Sequence, residues 1–89
     1  MKIKYSQRFL QKVKEHPEGI LDKVFSLVDL LEQGRPVDSI VMGEFKNQKI
    51  YRYRVSKDLL VIYTADKESC SLVDLVSYDE TYRLMRSAK

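Results

Sequence analysis

The apolar residues of this 89-residue chain follow two different periods, and the change falls at Gly34 and Pro36. Upstream, Ile20, Leu21, Val24, Phe25, Val28 and Leu31 recur at helical spacing, with Asp22, Ser26, Asp29 and Gln33 on the opposite side. That spacing gathers apolar side chains into one stripe of a helix. Gly34 suits the left-handed position after a helix, and Pro36 blocks a restart because it lacks an amide hydrogen. Downstream the period falls to two. From Lys49 to Val55, Ile50, Arg52 and Arg54 point one way while Tyr51, Tyr53 and Val55 point the other. A chain that is helical first and extended afterwards is expected to be α+β, with helices segregated to one face of a sheet.

The flanking segments fit that plan. Lys2-Ile3-Lys4-Tyr5 alternates as a short strand, and Ser6 is a suitable N-cap for a short helix striped by Phe9, Leu10 and Val13. His16-Pro17 separates this helix from the next, since the residue before a proline avoids helical geometry. Residues 35–47 are expected as a loop with a short extended piece from Ile40 to Met42, and with Gly43 and Asn47 as turn material. Leu59 to Tyr63 is apolar on both faces and reads as a central strand, between turns at Ser56-Lys57-Asp58 and Asp66 to Ser69. Cys70 to Val76 is the last strand. Ser77 and Glu80 have capping-box spacing before Tyr82, Leu84 and Met85, which indicates a short closing helix. The expected order is β-α-α-β-β-β with a helical tail: one domain over residues 1–89, its two N-terminal helices packed on one face of an antiparallel sheet. Val24, Phe25, Val28, Val61 and Tyr63 are expected in or near the core.

Composition narrows the function classes. One cysteine, Cys70, builds no intramolecular disulfide, and one histidine, His16, has no second ligand nearby, so neither metal nor cofactor is expected. No apolar run approaches membrane-spanning length and no signal-peptide core is present, so the protein is expected to be soluble and cytoplasmic. The net charge of +3 is modest but segregated. Lys2, Lys4, Arg8, Lys12 and Lys14 share the first 14 residues with no acid, and Lys46, Lys49, Arg52, Arg54 and Lys57 share 46–57, again with no acid. Segregated basic charge is what a polyanion-binding face requires, because each neutralised phosphate releases counterions.

Three segments carry a family likeness: Tyr51-Arg52-Tyr53-Arg54-Val55, Asp58-Leu59-Leu60-Val61-Ile62-Tyr63, and Val76-Ser77-Tyr78-Asp79-Glu80-Thr81-Tyr82-Arg83. With the His16-Pro17 joint after Lys12-Val13-Lys14, their order and spacing resemble the RelE/ParE superfamily of toxin–antitoxin toxins. The resemblance implies a metal-independent endoribonuclease acting on mRNA, often at the ribosome, and a cognate antitoxin that wraps the toxin. Carried over by position, Arg52 and Arg54 would hold and polarise the scissile phosphate, and Tyr82 would stack on a base or assist proton transfer. Leu60 and Tyr78 stand where many members keep cations or histidine, which makes Tyr78 a further catalytic candidate. Lys46, Lys49, Lys57, Arg83 and Arg86 are the expected RNA-binding cations.

Chemistry supports this division of roles. RNA cleavage without a metal needs the 2′-hydroxyl deprotonated, the phosphorane's charge neutralised and the leaving oxygen protonated. Two arginines on one strand face, about 7 Å apart, can bracket one phosphate. The base and acid would then come from Tyr78, Tyr82, Lys49, Glu44 or Asp79. Two other functions fit the same scaffold: a ParE-like inhibitor of DNA gyrase without nuclease activity, and a non-toxic binding module.

Overall fold

Residues 2–35 and 37–77 are described by the structure, a computed structural model. They form β1 (Lys2–Tyr5), α1 (Gln7–Lys14), α2 (Glu18–Glu32), β2 (Ile40–Phe45), β3 (Gln48–Arg54), β4 (Leu59–Ala65) and β5 (Ser69–Ser77). The strands make one five-stranded sheet in the order β1-β5-β4-β3-β2. The architecture is α+β, as the two hydrophobic periods require. The capping-box segment and the closing helix expected from Ser77 onward run into residues 78–89, which lie outside the described residues.

The sheet is mixed rather than wholly antiparallel. β1 runs parallel to β5, from Lys2↔Ser69 to Tyr5↔Leu72, whereas β5–β4, β4–β3 and β3–β2 are antiparallel. Alternation in a four-residue strand carries no information about the direction of its partner. Ser6 then turns the chain out of the sheet. Its amide donates to the Leu72 carbonyl at 3.0 Å, and its hydroxyl donates to the Val73 carbonyl at 2.6 Å while accepting the Phe9 N–H at 3.0 Å. One side chain thus caps α1 and ties its start to β5.

That tie falls where β5 bulges. Ile62 pairs with Asp74 but Tyr63 pairs with Leu72, so Val73 is the extra residue. The bulge lets Asp74 face α1, where its carboxylate meets Lys12 Nζ at 2.9 Å and Arg8 Nε at 3.2 Å.

The helix stop at Gly34 is as expected. Gly34 adopts φ 66°, its N–H donates to the Leu31 carbonyl, and the Arg35 N–H donates to the Leu30 carbonyl. This pair of bonds satisfies two of the last carbonyls of α2. The buried stripe of α2 is Val24, Leu27, Val28 and Leu31, packed with Phe9, Val55, Val61, Tyr63, Cys70, Leu72 and Leu75. Phe25 is not part of it. It is 60% exposed on the same helical face as Glu18, Asp22, Asp29 and Glu32, because the stripe centres on Leu27 and carries Phe25 out to solvent.

Residues 40–45 correct a third expectation. They form a full edge strand, paired with β3 from Ile40↔Arg52 to Phe45↔Gln48, with a bulge between Val41 and Gly43. The turn is confined to Lys46 and Asn47, at φ 50° and 67°, a two-residue connection whose twist matches its strands. Ile40, Val41, Met42 and Phe45 are all exposed, so no single face of β2 had to be apolar. Among the described residues, no helix is long and apolar enough to cross a membrane.

The β4–β5 turn is organised by Asp66, whose carboxylate accepts N–H bonds from Glu68 and Ser69 at 2.8 Å each and a Gln48 side-chain bond at 3.2 Å. These bonds, the Glu68 amide first, hold its carboxyl down to about 2 from an ordinary 3.8. A folded value below the unfolded one means that the turn is supported above about pH 4 and loses this support as pH falls through about 2. A carboxyl NMR titration should therefore give Asp66 a midpoint near 2, with the Glu68 and Ser69 amide shifts following it. An ordinary midpoint would show that the turn bonds do not persist in solution.

Candidate nucleic-acid interface

The face of β3 that carries the arginines is set by its tyrosines. Tyr51 and Tyr53 pack against the core on the helix side, and Val55 is buried in it. Tyr51 stacks on Tyr63 of β4 with ring centroids 5.1 Å apart and planes 15° from parallel. The Tyr63 hydroxyl shares a 2.6 Å hydrogen bond with the Ser39 hydroxyl. Burial raises the Tyr63 pKa above the ordinary tyrosine value, outweighing the bond to Ser39, which lowers it. With alternate positions locked inward, Arg52 and Arg54 face away from the helices, as their spacing implies.

Arg52 and Arg54 line a cleft of about 250 Å³ with Asp38, Ile40 and Leu60. The register explains the grouping: Ile40 lies opposite Arg52 at the edge, and Leu60 lies opposite Arg54 on β4. Leu60, at the position where the family resemblance suggests a cation, is only 3% exposed. The cleft thus pairs two guanidiniums with an apolar base and one carboxylate. Sequence reasoning did not include Asp38, because it lies in a segment without periodicity; its only signal was its place two residues before the start of β2.

The other cations divide between locations. Lys57 is exposed in the β3–β4 turn, at the Arg54 end of β3. Lys46 is at the opposite end, with Nζ 5.3 Å from the centroid of the Phe45 ring. Lys49 is on the helix side of β3, opposite Glu44 on β2. Both line a separate groove of about 540 Å³ with Leu31, Arg35, Tyr51 and Tyr63. Neither Lys49 nor Glu44 therefore joins the arginine cleft, since side chains one residue apart on a strand point to opposite faces.

The two basic blocks of the sequence also stay apart. Strands β5 and β4 separate β1 from β3, a spread of roughly 14 Å at ordinary strand spacing, and Arg8 and Lys12 are ion-paired with Asp74.

Cys70 is a core residue whose thiol is pushed up to about 11 by burial, and His16 closes the helix joint, its N–H donating to the Val13 carbonyl at 3.3 Å. Among the described residues, no three His, Cys, Asp or Glu side chains are grouped to hold a metal ion. Tyr78, Asp79, Tyr82, Arg83 and Arg86 lie outside the described residues.

No family model matches the sequence, and no curated protein does. Solved structures do match. The chain is similar to the archaeal RelE–RelB complex from Pyrococcus horikoshii, with a TM-score of 0.74 at 20% identity over 85% of this chain and 92% of that one. It is also similar to the E. coli DinJ–YafQ toxin–antitoxin complex, with a TM-score of 0.70 at 18% identity over 91% and 96% of the two chains. A metal-bound toxin from Helicobacter pylori matches with a TM-score of 0.67 at 23% identity over 90% and 97%. At these identities the likeness is one of fold, and by that measure this chain has the α+β fold of the RelE and YafQ toxins.

Proposed function

We propose that this chain is the toxin of a toxin–antitoxin pair and that it cuts mRNA at the ribosome, inhibiting translation. The observation that carries this reading is the face of β3 away from the helices, where Arg52 and Arg54 line one cleft with Leu60. Two guanidiniums aimed at one phosphate supply the positive charge that a phosphorane demands, and they do so without a metal ion. Lys57 extends this cationic edge at the β3–β4 turn and Lys46 stands at the far end of the strand. Arg83 and Arg86 are proposed to add to the RNA-binding set, with Tyr82 and Tyr78 as stacking and proton-transfer groups. RNA bases splayed from their stack need such aromatic planes.

The fold likeness supports an antitoxin partner, because two of the similar structures are complexes named for a toxin and its partner, RelE–RelB and DinJ–YafQ. For this chain the partner is a co-expressed antitoxin that covers the arginine cleft. A complex stable through purification should bury well over about 1,200 Å² in total.

The test is a translation extract supplied with the purified protein. The mRNA is mapped by primer extension, and a DNA gyrase supercoiling assay is run in parallel. The expected result is cut mRNA whose fragments carry a 5′-hydroxyl and a 2′,3′-cyclic or 3′-phosphate, unchanged by EDTA. Intact mRNA together with inhibited gyrase would replace the nuclease by a gyrase inhibitor on the same fold.

A further inference from the structure

We infer that Asp38 is the general base of the arginine cleft, taking the 2′-hydroxyl proton from the RNA that Arg52 and Arg54 hold. The assignment rests on the nuclease reading of this site and adds a residue to it. Asp38 is the one carboxylate among the described residues that line the cleft. Its backbone is held at both neighbours. The Ser39 N–H donates to the Val37 carbonyl at 2.8 Å, closing a tight three-residue turn with Asp38 at its apex. Ser39 and Val37 both line the groove on the helix side, and the Ser39 hydroxyl is bonded to Tyr63 there. With both neighbours committed to that groove, Asp38 lines the opposite cleft.

This arrangement answers a need that the arginines leave open. A guanidinium stays protonated and cannot accept a proton, so Arg52 and Arg54 can stabilise charge but cannot activate the nucleophile. Glu44 and Lys49 are on the other face. Asp38 is beside the phosphate-binding pair, and its exposed carboxylate is open to an incoming ribose.

In the step, the Asp38 carboxylate removes the 2′-hydroxyl proton and the 2′-oxygen attacks phosphorus. The bond from phosphorus to the 5′-oxygen breaks, and that oxygen takes a proton from solvent. Asp38 then returns its proton to solvent. The products are a 2′,3′-cyclic phosphate and a 5′-hydroxyl, with no net change in atoms or electrons.

The experiment compares wild type, Asp38→Asn and Asp38→Glu under single-turnover conditions on a ribosome-bound mRNA containing the mapped cleavage position. Affinity is measured separately on the same RNA with a 2′-deoxy nucleotide at that position, which binds but cannot be cut. Asp38→Asn should cleave about 10²- to 10⁴-fold more slowly, the usual contribution of a positioned general base. Its affinity for the uncleavable RNA and its melting temperature should stay unchanged, and Asp38→Glu should recover part of the rate. Cleavage by Asp38→Asn within about threefold of wild type would remove Asp38 from the chemistry while leaving the nuclease intact. A rate loss matched by an equal loss of affinity would make it a binding contact and overturn the assignment. A wild-type protein that cuts no RNA would remove the nuclease reading and the base together.

Discussion

Phe9→Ala should unfold most of the protein at 37 °C, whereas Phe25→Ala should leave its stability nearly unchanged. Phe9 is 1% exposed where α1 meets the core, in the same buried cluster as Val24, Leu27 and Leu72. Truncating a fully buried phenylalanine removes its transfer free energy and leaves a cavity, typically costing about 3–5 kcal/mol. A domain this small holds a net stability toward the lower part of ~5–15 kcal/mol. Its melting temperature should therefore fall by more than about 12 °C. Phe25 exposes 60% of its surface among carboxylates, so its loss should change stability by no more than about 0.5 kcal/mol. Thermal melts of the two variants check both numbers together. A large loss for Phe25→Ala would mean that the side chain is covered in solution, by a partner or a second copy.

Arg52→Ala and Arg54→Ala should each reduce RNA cleavage about 10²- to 10³-fold, the usual effect of removing one preorganised donor from a developing oxyanion. Arg54 is exposed and Arg52 is partly so, both on the face away from the core, and circular dichroism should show the fold retained. Lysine replacements separate charge from geometry. Arg→Lys keeps the positive charge but loses the planar fork that binds phosphate bidentately, so activity should fall between wild type and alanine. The readouts are single-turnover cleavage and filter binding. Equal cleavage by wild type and both alanine variants would sink the proposal that this face acts on RNA.

How far the sequence disclosed this protein differs from element to element. The α2 helix, the Gly34 stop, the Ser6 cap and the alternation of β3 were all legible, because each depends on a period or on the chemistry of one residue. The same alternation put Arg52 and Arg54 on one face, and the tyrosine stack between Tyr51 and Tyr63 is what fixes that face outward. Of β2 only the piece from Ile40 to Met42 was legible and its full length was not, since an edge strand with both faces exposed has no apolar period to read. Phe25 misled because the stripe read from the sequence left out Leu27, its actual centre, and a residue two positions from that centre lies on the far side of the helix. The parallel pairing of β1 with β5, the bulge that aims Asp74 at Lys12, and the separation of the two basic blocks all depend on which strands become neighbours. Composition and local spacing do not encode that choice. Asp38 belongs with these. It comes to line one cleft with the arginines through the β2–β3 pairing that starts two residues after it, 14 to 16 positions away from them along the chain. Local periodicity is set by the geometry of a helix turn or a strand pleat, so the sequence alone determined most of the elements and the face of β3. Which elements meet is decided by burying those faces together, and only the tertiary structure showed how that burial assembled the cleft.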